Sequence, residues 1–128
     1  NSYFNAFQEG DMEKVLDHFH PDCLIISVKD SVREPGQLHG TYHTSTEARQ
    51  FLNNITTLFD TESFQVDRVL TTEGNLVISH GSFAHRVKVT GKIFRSDWVQ
   101  ICLIENQKIK EYRFYEHSAA FFEANQAS

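Results

Sequence analysis

Residues 94–104 read FRSDWVQICLI, and the reading of this stretch decides the fold. Successive side chains of a strand point to opposite faces. Trp98, Cys102 and Ile104 then share one face, and Val99, Ile101 and Leu103 share the other. Both faces are apolar, so both are expected to be covered. The segment before it alternates more simply, with Phe83, His85, Val87 and Val89 against Ser82, Arg86 and Lys88. That is the pattern of a strand with one buried face. Turn residues at Glu73-Gly74-Asn75, Thr90-Gly91 and Glu105-Asn106-Gln107 divide this half of the chain into predicted strands over 66–70, 76–89, 92–104 and 108–116. Connections this short join antiparallel neighbours, so these strands form a meander.

Upstream the period changes from two residues to helical. Tyr3, Phe4 and Phe7 predict a first helix, interrupted at Gly10. Asp11 then caps a second, whose Met12, Val15, Leu16 and Phe19 share one face, and Pro21 is expected to end it. Leu24 to Val28 reads as a compact strand, and the polar stretch with Pro35, Gly36 and Gly40 as loop. Thr44 and Glu47 form a capping box for a third helix with the stripe Ala48, Phe51, Leu52, Ile55, Leu58 and Phe59. Ser118 predicts a last helical turn. The order α-α-β-α-β-β-β-β describes one α+β domain over residues 1–128, with helices on one face of a bent sheet. The helices cover one face of the 94–104 strand. A second copy of the chain is the economical cover for the other, so a homodimer through the outer face of the sheet is expected.

Composition sets the remaining bounds. A chain of 128 residues, 40% hydrophobic and 23% charged, fits a single folded domain. Twelve Lys and Arg against 17 Asp and Glu give a net charge of −5. Nucleic acid and anionic membrane surfaces are therefore not the expected partners, since each needs a concentrated basic face. No apolar run approaches the roughly 20 residues of a membrane helix. The chain opens at Asn1 without a methionine, so a few N-terminal residues are expected to be missing from it. Cys23 and Cys102 lie far apart in apolar runs and read as buried free thiols in a reducing, cytoplasmic setting. No metal is expected: His18, His20 and Asp22 alternate at a helix end, His39 and His43 fall in loop, and no H-E-x-x-H occurs. Phosphate-loop, dinucleotide and G-x-S-x-G patterns are also lacking, so no cofactor is expected. Eleven Phe, four Tyr and one Trp either fill a core or line a pocket for a small apolar ligand.

Tyr3-x6-Gly10-Asp11 and Phe19-x2-Asp22 ahead of a strand, then Thr90-Gly91-Lys92, Trp98 and Lys108-Ile109-x2-Tyr112-Arg113-x-Tyr115, give the chain its likeness to a known family. It resembles the SnoaL-like family of the ketosteroid-isomerase and nuclear-transport-factor-2-like superfamily. The resemblance implies a cone: a curved antiparallel sheet wrapped around three N-terminal helices, enclosing an apolar pocket, with dimers formed through the outer sheet face. It implies cofactor-independent acid–base chemistry (isomerase, cyclase or hydratase type) on an apolar ligand bearing a carbonyl or hydroxyl. Tyr3 matches the position of the isomerases' oxyanion-binding tyrosine. Their general base falls on Ser27, which cannot take a proton from carbon at neutral pH, and their second oxyanion donor falls near Trp98 or Gln100. The last-strand acid of the cyclase and epoxide-hydrolase relatives falls on Phe114. A non-catalytic dimeric ligand-binding or association module is the alternative that these departures favour.

Strand parity nominates the inward groups. With Phe83 and His85 facing in, the aligned strands add Ile25, Ser27, Trp98, Gln100, Tyr112, Phe114 and Glu116. His85 reads either as a proton carrier, since an imidazole titrates near pH 6.5, or as a core histidine bonded to backbone. Glu116 reads as a base raised by desolvation or as a solvated carboxylate at a strand end. Tyr3 reads as a donor to a ligand oxygen or as a core ring. His85 is expected inside, within hydrogen-bond reach of Tyr3, Ser27, Gln100, Glu116 or a bound molecule.

Overall fold

The structure, a computed structural model, describes residues 2–32, 34 and 37–126. Helices α1 (Ser2–Glu9) and α2 (Met12–Asp17) lead into β1 (Phe19–Ser27) and β2 (Gly40–His43), then α3 (Thr44–Leu58). Strands β3 (Phe59–Thr71), β4 (Leu76–Val87), β5 (Ile93–Glu105) and β6 (Lys108–Glu116) follow, and α4 (Ser118–Asn125) closes the described chain. The strands form one six-stranded sheet in the order β2-β1-β6-β5-β4-β3. The meander from β3 to β6 is antiparallel throughout, whereas β1 joins β6 in parallel. The sheet curves around the helices as the cone that strand order and helix placement imply.

Several boundaries differ from the sequence reading, each for a local reason. Helix α2 stops at Asp17 because Phe19 is already in β1, paired with Ile109. Pro21 sits inside β1, in the irregular stretch between Phe19 and Leu24 where the ladder lapses and no N–H is needed. Strand β2 occupies the tail of the expected loop; Pro35 and Gly36, also placed in that loop, lie outside the described residues. The α3 stripe runs one residue too far, since Phe59 takes extended backbone (φ −131°, ψ 148°) and opens β3. At the start of α3 the cap shifts by one position. Glu47 accepts the backbone N–H of His43 at 2.8 Å, and Thr44 follows with φ 67°. Val89 points to solvent, 87% exposed, because β4 ends at Val87 and Gly91 (φ 73°) turns the chain.

Inside the cone, Val15, Ile25, Tyr42, Leu52, Val87, Phe94 and Trp98 are buried. On the other side of β5, Val99 is exposed opposite the exposed Tyr115, while Ile101 lies between Ile78 and Arg113. Leu70 and Leu76 are exposed on the same outer sheet. The apolar outer face read from residues 94–104 is therefore present as a surface.

Candidate functional site

Three adjacent strands build the floor of the site. Ser27, Phe114 and Gln100 stand side by side across β1, β6 and β5, because Ser27 pairs with Phe114 and Phe114 with Gln100. One step along the same face, Ile25, Tyr112 and Cys102 form a second row. Trp98 and Glu116 stand opposite each other on the other side. From the helices, Tyr3, Phe51 and Ile55 close over these rows. The space left has about 40 Å³ open to the centres of water-sized molecules.

Of the residues nominated from the sequence, Tyr3, Ser27, His85, Gln100, Tyr112, Phe114 and Glu116 reach this cavity. Ile25, Phe83 and Trp98 lie behind its wall as packed core. Trp98 is stacked with Phe64 (5.0 Å) on one flank and Phe114 (5.6 Å) on another. Phe83 stacks on His85 at 4.3 Å. These rings face inward as parity requires but are not among the residues that line this cavity.

Glu116 is not the solvated carboxylate that a strand end suggests. Its side chain is 5% exposed, and Oε1 lies 2.5 Å from Nε2 of His39, itself 6% exposed. A carboxylate buried among rings needs such a partner, since desolvation penalises an unpaired charge heavily. His39 precedes Gly40, which pairs with Ser27 across the β2–β1 edge, and this pairing carries the imidazole to the end of β6. The approach is held from below: Tyr42 donates its hydroxyl to the Leu38 carbonyl at 2.7 Å, Asn54 donates to the Tyr42 oxygen at 3.0 Å, and the Gln37 amide donates to the His39 carbonyl at 2.8 Å. From above, Phe121 of α4 packs on the His39 ring at 4.3 Å. The sequence reading weighed His39 only as a metal ligand and placed it in loop, because its side-chain partner Glu116 lies 77 residues away in the chain.

His85 is inside the cone, but its partner is none of the groups expected. It stacks on Phe59 at 4.8 Å and bonds Thr61 Oγ1 through Nδ1 at 3.0 Å. Burial pushes its pKa down to about 4, so the imidazole is neutral at pH 7. A consequence for stability follows from the sign of this shift. Between about pH 6.5 and pH 4 the unfolded chain binds a proton that the folded chain refuses, so stability falls as pH drops through this window. The full loss is on the order of 3 kcal/mol. Urea unfolding at pH 7 and pH 4.5 should show wild type losing roughly 2 kcal/mol more than His85→Gln; equal losses would contradict a desolvated imidazole.

The remaining polar groups divide into paired and unpaired. The Tyr3 hydroxyl donates to that of Tyr112 at 3.3 Å, and burial raises the pKa of both, so both stay protonated. The Cys102 thiol is pushed up to about 12 by burial, and the Gln100 amide donates to its sulfur at 3.5 Å. Gln100 Oε1 and the Trp98 indole N–H are buried with no hydrogen-bond partner. Among the described residues no cluster of His, Cys, Asp or Glu is arranged to hold a metal ion, and no helix is long and apolar enough to cross a membrane.

The family model for the SnoaL-like domain matches residues 1–112. The chain belongs to that family. Solved structures share the fold over nearly its whole length. An NTF2-like protein from Burkholderia xenovorans LB400 superposes with a TM-score of 0.81 at 22% identity, over 98% of this chain and 91% of that one. An NTF2-like protein from Burkholderia pseudomallei K96243 gives 0.83 at 18% identity, over 98% and 93%. TerC, co-crystallised with polyporic acid, gives 0.75 at 19% identity, over 96% and 92%. A search of curated proteins finds no match to this chain. Glu116 and α4 lie beyond the residues that the family model matches.

Proposed function

We propose that this SnoaL-like protein binds a small apolar molecule bearing a carbonyl or hydroxyl inside the cone and moves a proton on it, with Glu116 as the base. The observation that carries this reading is the Glu116 carboxylate, buried at the wall of an aromatic cavity and held by His39. A carboxylate fixed in such a site can take a proton from carbon and return it elsewhere on the same molecule. The Tyr112 hydroxyl, which accepts from Tyr3, has its own proton to offer a ligand oxygen. Tyr3 then acts through Tyr112, and His85 serves as a neutral polar wall.

Conversion of cyclohex-3-enone to cyclohex-2-enone tests this with a single-ring probe. A proton leaves the carbon between the carbonyl and the double bond, the double bond moves into conjugation, and a proton returns at the far carbon. Wild type should catalyse the shift, and Glu116→Gln should lower the rate by about 10²-fold or more. Equal rates in the two proteins would overturn the acid–base reading and leave a binding module without chemistry.

We also propose that a second copy of the chain covers the outer sheet face. The exposed Leu70, Leu76, Val99 and Tyr115 support this, since they form an apolar surface that no described element covers. Light scattering should give twice the 14.8 kDa chain mass, and Val99→Glu should shift it towards the monomer. A wild-type monomer at micromolar concentration would contradict it.

A further inference from the structure

We infer that the cavity takes a single hydroxyl-bearing ring of about the size of phenol, received by Gln100, and excludes fused polycycles. This rests on reading the cone as a small-molecule site, but not on any chemistry performed there.

Size is the first argument. A water needs about 10–15 Å³ of room measured at its centre, so the roughly 40 Å³ open here accommodates only a few. Clefts that take drug-sized ligands measure about 300–1,000 Å³. The walls also suit a flat guest. The Tyr112 and Phe114 rings are nearly parallel, 5° apart at 6.2 Å, and Phe51, Phe59 and Phe64 face the same space. Enlarging the cavity would mean displacing rings that are themselves stacked on core rings: Phe114 on Trp98, and Phe64 on Trp98 and near-parallel to Phe83.

The polar complement is the second argument. Gln100 is 4% exposed, lines the cavity, and has an amide oxygen with no partner. Buried acceptors are rarely left unmade, and the O–H of a guest, like that of a water, would satisfy this one. Tyr3 donates to Tyr112, His85 bonds Thr61, and one oxygen of Glu116 is taken by His39. Gln100 is thus the acceptor that a guest's O–H would satisfy, and the Glu116 carboxylate lies on the same inner face, one diagonal step away across β5 and β6. A ring without a hydroxyl would fill the space yet leave that oxygen unmade.

Titration of ¹⁵N-labelled protein with phenol, toluene and estradiol tests this by NMR. Phenol should bind saturably, at least about fivefold more tightly than toluene, and should move the Gln100 side-chain amide resonances. Estradiol, a phenol carried on a fused polycycle, should produce no shifts at cavity residues. Gln100→Leu should bind phenol and toluene equally; should that variant fail to fold, the Gln100 resonances of wild type still decide. Absence of saturable phenol shifts, toluene binding as tight as phenol, or estradiol binding inside the cone would each overturn the inference. Cyclohexenone turnover that survives such a result would leave the acid–base reading standing.

Discussion

Gly81→Ala should destabilise the protein by about 3 kcal/mol or more, and should do so although Gly81 has no unusual backbone angle. Gly81 lies in β4 opposite Val66 of β3 and Trp98 of β5. A Cβ added there would stand 1.8 Å from the Gln65 carbonyl oxygen, 2.8 Å from its carbon and 3.0 Å from Trp98 Cζ2. The first two atoms are backbone, so relief requires moving β3 itself. This is also where β3 slips register, between Val66 and Arg68. The glycine lets β3 cross close over β4, and the irregularity bends the sheet around the helices. Gly74→Ala is the control, because nothing lies within 4 Å of the added carbon. Urea midpoints should separate the two variants clearly, with Gly74→Ala within about 0.5 kcal/mol of wild type. A Gly81→Ala protein as stable as the control would contradict the close crossing.

His39→Ala should cost about 3–5 kcal/mol, since it strands a buried carboxyl group. Glu116 would lose its 2.5 Å partner, and Phe121 would lose the ring it packs on. Replacing both partners tells a different story. A His39→Leu, Glu116→Leu protein removes the polar groups together and should recover most of that loss. A double-mutant cycle would then report a coupling of at least about 1 kcal/mol. Additive losses would mean that the two side chains do not depend on each other.

The contrast between Gly81 and His39 also explains what could be read from the chain alone. Strands β4 and β5 were legible because their signal is local: Phe83, His85 and Val87 repeat at two residues, and so do Trp98, Gln100 and Cys102. Helix α3 was legible for the same reason at helical period. Strand β2 was not, since Gly40 to His43 is too short to show a period and exists through its pairing with β1. His39 was hidden with it. Its role depends on β2 pairing antiparallel with β1 and β1 pairing parallel with β6, two long-range events that no spacing encodes. Glu116 was nominated by parity, but parity says which way a side chain points and not how deeply it is buried. For the same reason Ile25, Phe83 and Trp98 pointed inward correctly without reaching the cavity.

One hydrogen bond holds the buried carboxylate in the cavity wall, and side-chain NMR reads it directly. In ¹⁵N-labelled protein, the proton between His39 Nε2 and Glu116 Oε1 should appear well downfield of the ordinary imidazole N–H range, be protected from exchange with water, and vanish in Glu116→Gln. It should also move when phenol enters the cavity. A His39 ring proton that exchanges freely and is indifferent to Glu116→Gln would contradict the buried His39–Glu116 pair and the site built on it.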